Sequence, residues 1–453
     1  MQNKTNQFRR RIRPERILGL GFLAVILIGG MVLALPVCGA GGRSVGIRAG
    51  MFTATSAVCV TGLSIVDAGT QLSTIGQITL LVLIQLGGLG FMSFATVIMA
   101  ALGKRMSLRG RLLLRDSMNQ TSLQGIMRLS LSFFLMALVI ETLGALLLMT
   151  RLIPLYGAGK GTWYSFFTAI SAFCNAGFDV FGDWRSLTAF QQEPAILMTL
   201  AALIILGGLG FSVILECMHC RLHFRKLSVH AKLVLLTTAG LLVAGTVITL
   251  FLESGNTLAD LPAAHRVFNS FFQSVTLRTA GFASVDQAAL TDVSKLLGCL
   301  WMFIGASPAS TGGGIKTTTA VMLGLLVWNV IRGSERINVF GREISQDTAR
   351  RSMTIAFIGM AMVFLCACLI GVLEQGRGKA MIDILFETVS AFSTTGLSSV
   401  GTANLTPASQ WLLMPLMYLG RVGPLTLAFA LARHSESSTG SRVRYPEEKI
   451  MIG

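Results

Sequence analysis

Long apolar segments alternate with short polar connections along most of the chain. Eight of these segments reach the length of about 20 residues that an α-helix needs to cross a bilayer. They cover residues 17–35, 77–102, 129–149, 194–215, 231–252, 296–331, 354–373 and 411–432. The pattern predicts an all-α membrane protein with eight transmembrane helices and with both termini on one side.

The sixth segment, residues 296–331, is too long for a single span. Its residues 305–314 read Gly-Ala-Ser-Pro-Ala-Ser-Thr-Gly-Gly-Gly, a composition that kinks or breaks helices. Non-helical backbone is tolerated inside a membrane only where it is buried in protein or lines water. We therefore predict that this helix is broken within the membrane.

Composition argues against a water-soluble enzyme. Of the 453 residues, 53% are hydrophobic and 13% charged, with a mean hydropathy of +0.68, whereas soluble domains are about 25% charged. The net charge of +16 would suggest a nucleic-acid partner in a soluble protein. Here the excess lies in the termini and connections, which hold 25 Lys/Arg and 9 Asp/Glu in residues 1–16, 103–128, 216–232, 332–351 and 433–453. This bias predicts that they are cytoplasmic and face either anionic lipid of the cell membrane or an acidic partner.

A quartet of small, polar, glycine and apolar residues occurs four times, each time after a shorter apolar segment that lies between two spans. The copies are Val60-Thr61-Gly62-Leu63, Asn175-Ala176-Gly177-Phe178, Thr279-Ala280-Gly281-Phe282 and Thr394-Thr395-Gly396-Leu397. Their glycines are 115, 104 and 115 residues apart. A serine precedes the glycine by six residues in the first, second and fourth copies and by seven residues in the third copy. The following spans also carry matching glycines, at Gly87, Gly207, Gly305 and Gly420.

These spacings divide the chain into four repeats of span, short helix, quartet and span. Repeat 1 covers 17–102, repeat 2 covers 103–218 with its basic connection, repeat 3 covers 219–331 with the broken span, and repeat 4 covers 332–432. A basic N-terminus (1–16) and a C-terminal tail (433–453) flank them. The second glycine position fits close packing of helices, because small residues let spans approach each other.

The short apolar segments are predicted to be re-entrant helices that stop inside the membrane. Their C-terminal ends carry partial negative charge, and four such ends around one axis would attract a cation. The quartet carbonyls could then replace the hydration shell of a potassium ion. The predicted potassium selectivity filter of this pseudo-four-fold pore consists of Val60, Thr61, Gly62, Asn175, Ala176, Gly177, Thr279, Ala280, Gly281, Thr394, Thr395 and Gly396.

From end to end, the chain resembles the membrane subunit of Ktr-type potassium uptake systems, within the Trk/Ktr/HKT superfamily. Besides the quartets, the resemblance rests on Arg278-Thr279-Ala280-Gly281-Phe282, the broken helix, Gly420-Arg421-Val422-Gly423-Pro424 and the terminal Arg444-Tyr445-Pro446-Glu447-Glu448-Lys449-Ile450. It implies a homodimer with one pore per protomer and a cytosolic ring of regulatory subunits that binds a nucleotide. Potassium is then the transported ion, and the family leaves open a sodium requirement.

In this family the loop of the broken helix acts as an intramembrane gate. The resemblance therefore implies gate residues, namely Gly305, Ser307, Thr311, Gly312, Gly313, Gly314, Lys316 and Arg421. A kink without a gating role is the alternative for the loop. Arg421, the only charged residue in the last span, would be either a positive barrier to potassium or part of a buried structural pair.

Other charged residues lie close to the quartets. Arg278 and Glu387 are predicted to brace the filter electrostatically, because charges inside membranes usually pair. Asp67, Asp179 and Asp286 follow three of the glycines and would either ring the outer mouth or be solvated loop carboxylates. No metal site is predicted: the cluster from Cys217 to His223 lacks a usual zinc spacing.

Three function classes compete. Potassium conduction through a channel-like pore is favoured by four parallel filter repeats. Sodium-coupled symport by alternating access is the alternative, since that class uses broken helices, although only one helix is obviously broken in the sequence. A membrane-embedded enzyme is disfavoured because no HExxH motif is present and all five histidines lie outside the predicted spans.

Overall fold

The computed structural model describes residues 14–90, 126–221, 223–333 and 337–423, together with positions 96, 112 and 114. The greater part of the predicted basic N-terminus, nearly all of the 103–128 connection and the whole 433–453 tail lie outside these residues. So does the terminal motif that begins at Arg444.

Fourteen α-helices follow one another in the described residues. In chain order they are α1 (Pro14–Leu33), α2 (Ile47–Cys59), α3 (Thr74–Gly88), α4 (Ile126–Tyr156), α5 (Ala158–Phe173), α6 (Pro194–Leu209), α7 (Phe211–His219), α8 (Val229–Glu253), α9 (Ala263–Thr276), α10 (Asp292–Phe303), α11 (Thr317–Ile331), α12 (Gln346–Leu373), α13 (Met381–Ser393) and α14 (Pro407–Val422). Helices α2, α5, α9 and α13 each end within three residues of a quartet.

Three helices, α4, α8 and α12, are long and apolar enough to cross a membrane, and the bent pair α6–α7 would be a fourth. The remaining predicted spans correspond to shorter helices. Helices α3 and α14 run up to the edge of the described residues, and a loop separates α10 from α11. The eight-span arrangement therefore stays a prediction.

The break predicted in the sixth segment lies between Phe303 and Thr317. A parallel bridge joins Ile304 to Ile315, and Gly305 N donates to the Ile315 carbonyl at 2.8 Å. The chain therefore leaves the helix direction, forms a closed loop and resumes as α11. We call residues 305–316 the central loop.

The sequence predicts one continuous span over residues 194–215, and this prediction is wrong. Helices α6 and α7 meet at an angle of 95° at Gly210, whose φ is +92°. The central loop explains the bend: Phe211 N donates to the Ala309 carbonyl at 3.0 Å, and a Cβ on Gly210 would lie 2.5 Å from the Pro308 carbonyl oxygen. The bend makes room for the loop and satisfies a helix N–H with loop backbone.

The prediction of an all-α fold misses one small element. Strands β1 (Ile337–Val339) and β2 (Arg342–Ile344) form an antiparallel hairpin between α11 and α12. Its two-residue turn, Phe340-Gly341, has positive φ at both positions, as the tight turns of β-hairpins require. The hairpin packs Ile337 against these two helices.

Burial separates the helices into two classes. The short helices before the quartets are the most buried parts of the chain, with Phe52, Phe167, Phe272 and Phe386 fully enclosed. The longer helices expose large apolar side chains, such as Phe251 at 84% and Phe357 at 76%. This distribution is typical of a protein whose outer surface faces lipid and whose short helices form the centre.

Candidate cation site

One glycine from each quartet lies at the centre of the structure. We call these four the glycine ring: Gly62, Gly177, Gly281 and Gly396. A Cβ atom added to any of them would come within 2.8 Å of the carbonyl oxygen that precedes the next glycine in the ring. These oxygens belong, in order, to Ala176, Ala280, Thr395 and Thr61. Since the last contact returns to the first quartet, the four quartets close around one axis.

The four quartets share one backbone shape. Each begins with a residue in the left-handed region, namely Val60, Asn175, Thr279 and Thr394, with φ between 54° and 66°. The ring glycines also have positive φ, between 69° and 93°. A left-handed residue other than glycine costs roughly 1–2 kcal/mol, and β-branched residues rarely adopt this conformation. That four different sequences keep this conformation points to a common geometric requirement.

Two serines in the short helices hold the quartets by the same hydrogen bonds. Ser56 Oγ accepts from Gly62 N and Ser390 Oγ accepts from Gly396 N, both at 3.0 Å. The backbone carbonyls of the same serines accept the N–H of the residue before the glycine, at 2.7 and 2.8 Å. These bonds satisfy N–H groups of the first and fourth quartets. Neither serine binds the carbonyl of a ring glycine through them.

In the other two repeats no hydrogen bond from the ring glycine to a serine hydroxyl is described, although the Ser171 carbonyl still accepts from Ala176 N at 2.8 Å. Ser171 Oγ is buried and has no hydrogen-bond partner among the described residues. In the third repeat Ser274, which is one residue out of register, donates to the Leu242 carbonyl of α8 at 3.0 Å. Thr276 Oγ1 instead holds that quartet, by donating to the Phe282 carbonyl at 2.7 Å. The shifted serine in the sequence therefore reflects a change of partner.

We expect Ser390→Ala to lower the melting temperature of the detergent-solubilised protein, because Gly396 N would be left buried without its acceptor. Such a loss costs about 1–3 kcal/mol. Ser171→Ala is the matched control, since it removes an equally buried hydroxyl that has no partner among the described residues. Equal melting temperatures for the two variants in a thermal-shift assay would contradict the role given to Ser390.

The second glycine position brings the following helices against the short ones. Added Cβ atoms on Gly87, Gly207 and Gly420 would overlap the carbonyl oxygens of Val58, Phe173 and Phe392, in that order. Each of these carbonyls lies four residues before a ring glycine. Gly305 departs from the pattern, because it contacts the Gly313 carbonyl within the central loop. In three repeats the glycine thus allows close helix packing, as its small size predicts.

A cavity of about 450 Å³ opens on one side of the glycine ring. All four ring glycines line it, as do segments that follow them in the chain, including Asp67 and Asp179. Asp67 Oδ1 accepts from Gly69 N at 2.9 Å, which holds the carboxylate in place. Asp286 is exposed and is not among the lining residues, so the predicted ring of three aspartates is reduced to two.

The central loop lies on the other side of the glycine ring, because it contacts residues that precede the ring glycines. Gly313 N donates to Thr394 Oγ1 at 3.0 Å, and Thr311 Oγ1 donates to the last carbonyl of α5 at 3.1 Å. A Cβ on Gly312 would overlap the Thr279 hydroxyl. The loop therefore contacts the second, third and fourth repeats directly beside the ring.

Further contacts fasten the two ends of the loop. Ser307 N donates to the Gly208 carbonyl at 3.1 Å, which ties the start of the loop to α6. A Cβ built on Gly314, whose φ is +69°, would lie 3.1 Å from Ser393 Cα. The end of the loop therefore contacts α13. Every residue predicted for the gate except Arg421 thus belongs to one loop that is packed against the quartets.

Two cationic side chains bind the central loop: Arg421 belongs to α14, and Lys316 belongs to the loop itself. The half-buried guanidinium of Arg421 donates to the Thr311 carbonyl in the loop and to the carbonyls of Gly87 and Gly88 at the end of α3. Lys316 Nζ donates to the Gly312 carbonyl at 2.7 Å. Arg421 therefore pairs with backbone carbonyls, one of the partners open to an intramembrane cation, and links the first and last repeats to the loop.

Arg278 and Glu387 are both buried, at 6% and 1% exposure. Glu387 Oε1 accepts from Thr402 Oγ1 at 2.5 Å, next to the segment that follows the fourth quartet. Arg278 Nε has no hydrogen-bond partner among the described residues, and no ion pair there joins the two side chains. That Arg278 and Glu387 brace the filter electrostatically therefore stays a prediction, and it applies to each residue on its own.

The structure also brings a further buried acidic residue to the site. Glu141 of α4 is 3% exposed and accepts from Gln85 Nε2 at 2.6 Å. No motif in the sequence marks Glu141. The available signal is that it is the only charged residue in the apolar segment 129–149.

The Cys/His cluster at the end of α7 is engaged in local hydrogen bonds. His219 Nδ1 bonds to the Leu215 carbonyl, and Cys220 Sγ donates to the Lys226 carbonyl. Among the described residues, no group of three or more His, Cys, Asp or Glu side chains is arranged to hold a metal ion.

The sequence model of the TrkH family, described as a cation transport protein, matches residues 33–441. The chain belongs to the TrkH family. Together with its long apolar helices, this membership makes the chain a multi-pass membrane protein.

Relatives within the TrkH family match over nearly the whole chain. The potassium/sodium uptake protein NtpJ of Enterococcus hirae is 37% identical over 98% of this chain and 98% of its own length. The Ktr system potassium uptake protein B of Bacillus subtilis is 37% identical, over 98% of this chain and 97% of the relative. Its counterpart from Vibrio alginolyticus is 38% identical, over 97% and 94%. The resemblance to Ktr-type proteins is thereby confirmed.

The fold is that of a solved family member. The crystal structure of the potassium transporter TrkH from Vibrio parahaemolyticus matches with a TM-score of 0.73, covering 95% of this chain and 86% of that one. The two sequences are 16% identical, so this likeness concerns the fold.

Proposed function

We propose that this TrkH-family protein takes up potassium across the cell membrane through a channel-like pore whose selectivity filter is formed by the four quartets. The closed glycine ring carries this proposal. Four short helices end within three residues of the quartets, so that their partial negative charges are near the ring. Backbone carbonyls in such an arrangement can replace the hydration shell of potassium. The names of the relatives from Enterococcus hirae and Bacillus subtilis support the choice of ion.

The central loop is proposed to be the gate of this pore. It lies beside the glycine ring on the side opposite the 450 Å³ cavity, and an ion that leaves the ring in that direction meets the loop. Arg421 and Lys316 add positive charge there. Opening requires the loop to give up its hydrogen bonds to the quartets and to the guanidinium of Arg421.

The remaining assignments extend the same proposal to the assembled system. Eight membrane spans in four repeats, with both termini in the cytoplasm, follow from the apolar segments and the basic connections. The relative from Bacillus subtilis is named as protein B of a Ktr system, which supports a partner protein. We propose that this partner is a cytosolic nucleotide-binding ring and that the chain forms a homodimer.

A second candidate is sodium-coupled symport by alternating access. The bend of 95° at Gly210 favours it, because the structure then contains two broken helices rather than one. The relative from Enterococcus hirae is named as a potassium/sodium uptake protein. Symport and conduction use the same glycine ring but differ in what drives the ion.

Reconstitution of the purified protein in liposomes separates the two candidates. A conductor moves potassium only down its electrochemical gradient, whereas a symporter with both ions outside accumulates potassium against its gradient when an inward sodium gradient is the only driving force. We expect uptake to follow the potassium gradient and the membrane potential. Accumulation driven by sodium would favour symport. Absence of potassium flux at every sodium concentration, with and without a nucleotide-binding subunit, would contradict both.

The regulatory partner needs its own comparison. In cells that lack their own potassium uptake, we expect the chain to restore growth at low potassium more strongly when a nucleotide-binding subunit is expressed with it. Equal rescue with and without that subunit would remove the regulatory proposal while leaving the pore intact.

A further inference from the structure

A buried carboxyl group lies within the apolar helix α4, away from the quartets in sequence. Glu141 is 3% exposed although α4 presents lipid-type side chains such as Leu143 and Leu147 on its outer surface. A charged residue inside a membrane span is costly and usually has a function with an identifiable partner. The partners of Glu141 therefore indicate what it does.

Two donors from two other helices converge on this carboxyl group. Gln85 Nε2 of α3 donates to one oxygen at 2.6 Å, and Cys174 Sγ donates to the other at 3.8 Å. Cys174 Sγ also lies 3.5 Å from Gln85 Oε1, so the three side chains form one buried cluster. None of the described ion pairs includes Glu141. The cluster thus holds α4 against α3 and the end of α5 by hydrogen bonds.

The cluster touches the ion pathway at two points. Cys174 is the last residue before Asn175, which begins the second quartet, and it caps α5. On the other side, a Cβ added to Gly88 would lie 2.7 Å from Cys174 Sγ, and the Gly88 carbonyl accepts from Arg421 at 3.2 Å. The cluster around Cys174 therefore contacts both the start of the second quartet and Gly88, whose carbonyl accepts from the Arg421 guanidinium that holds the central loop.

We propose that Glu141 is a positioning residue for ion selectivity: by accepting from Cys174 and Gln85, it fixes the second quartet relative to the end of α3. This inference rests on the proposed function, since it assigns the second quartet to the filter. It goes beyond that function by assigning a role to a carboxyl group that does not line the pathway.

The test is the ratio of potassium to sodium flux in liposomes that contain equal amounts of folded protein. Glu141→Leu, which removes both acceptors, is expected to lower this ratio about tenfold, in keeping with the loss of a buried hydrogen-bonded group. Glu141→Gln keeps one acceptor oxygen and should give an intermediate ratio. Thr142→Val is the matched control, because the neighbouring threonine is exposed and its hydroxyl donates to the Leu138 carbonyl of its own helix.

The donors provide a second arm that does not depend on the stability of the Glu141 variants. Cys174→Ser keeps a donor and should retain the wild-type ratio within about twofold, whereas Cys174→Ala should lower it. If Glu141 acts through Gln85, the double variant Gln85→Leu/Glu141→Leu should lose no more than the more affected single variant.

The outcomes are separable from those for the proposed function. A wild-type protein without potassium flux would contradict the proposed function. A wild-type protein with selective flux, together with unchanged ratios in Glu141→Leu or, if that variant does not fold, in both Glu141→Gln and Cys174→Ala, would overturn only the role of Glu141. A purely structural role would lower the yield or melting temperature while leaving the ratio unchanged.

Discussion

Gly281→Ala is expected to reduce potassium uptake at least tenfold and to abolish the preference for potassium over sodium. The added methyl group would lie 2.5 Å from the Thr395 carbonyl oxygen, and the residue would have to keep φ at +82°. The backbone strain alone costs about 1–2 kcal/mol, and the overlap forces two quartets apart. Because selectivity depends on the spacing of the carbonyls, a shift of a few tenths of an ångström would act on sodium and potassium differently.

Gly240→Ala provides the control for this prediction. Gly240 lies in α8, is exposed, and has open space where a Cβ would be added. Alanine is the better helix former there, by roughly 1 kcal/mol. Radioactive rubidium or potassium uptake should therefore be unchanged in Gly240→Ala. Wild-type uptake and selectivity in Gly281→Ala would mean that the glycine ring is not the filter.

Arg421→Ala is expected to raise potassium flux about tenfold, the effect of roughly 1.4 kcal/mol in a barrier. The substitution removes the donors that bind the carbonyls of Thr311, Gly87 and Gly88, and it removes a positive charge beside the pathway. The loss of the donors favours an open central loop, and the loss of the charge lowers the electrostatic barrier to a cation. The flux should be measured without a regulatory subunit, where the proposed gate would limit the flux through the wild-type protein.

Two further substitutions separate the tether from the charge. Arg421→Gln keeps amide donors without the charge, and Arg421→Lys keeps the charge with fewer directed donors. If the positive charge forms the barrier, Arg421→Gln should conduct like Arg421→Ala. If the hydrogen bonds to the loop form the barrier, the flux through Arg421→Gln should remain closer to that of the wild type. Reduced flux in a correctly folded Arg421→Ala protein would contradict both roles and assign the residue to structural support.

The sequence predicts the features of this fold that repeat or that break a rule of membrane segments. The glycine quartets are recognisable because the same pattern returns four times, and the central loop because an apolar segment is too long and contains Pro308 among small residues. Both predictions rely on local composition. For this reason they locate the elements correctly without describing their contacts.

Features that depend on contacts between distant segments could not be predicted in this way. The bend at Gly210 exists because the carbonyls of Pro308 and Ala309 come against the start of α7, and nothing near residue 210 encodes that neighbour. Glu141 became part of the site through Gln85 and Cys174, which lie in other helices. The shifted serine of the third repeat was visible in the sequence, but its partner in α8 was not.

The glycine ring also constrains how the protein is made. Its closing contact joins Gly396 to the carbonyl of Thr61, and hence the first quartet to the last. During synthesis, three quartets can be inserted while the fourth has not yet left the ribosome, so the enclosure stays open on one side until translation has passed residue 397. A chain that stops before α13 would retain three of the four short helices but no complete ring. Under the proposed function, ion selectivity is therefore acquired in one step, at the end of synthesis, and a nascent chain would not dissipate the potassium gradient through a finished pore.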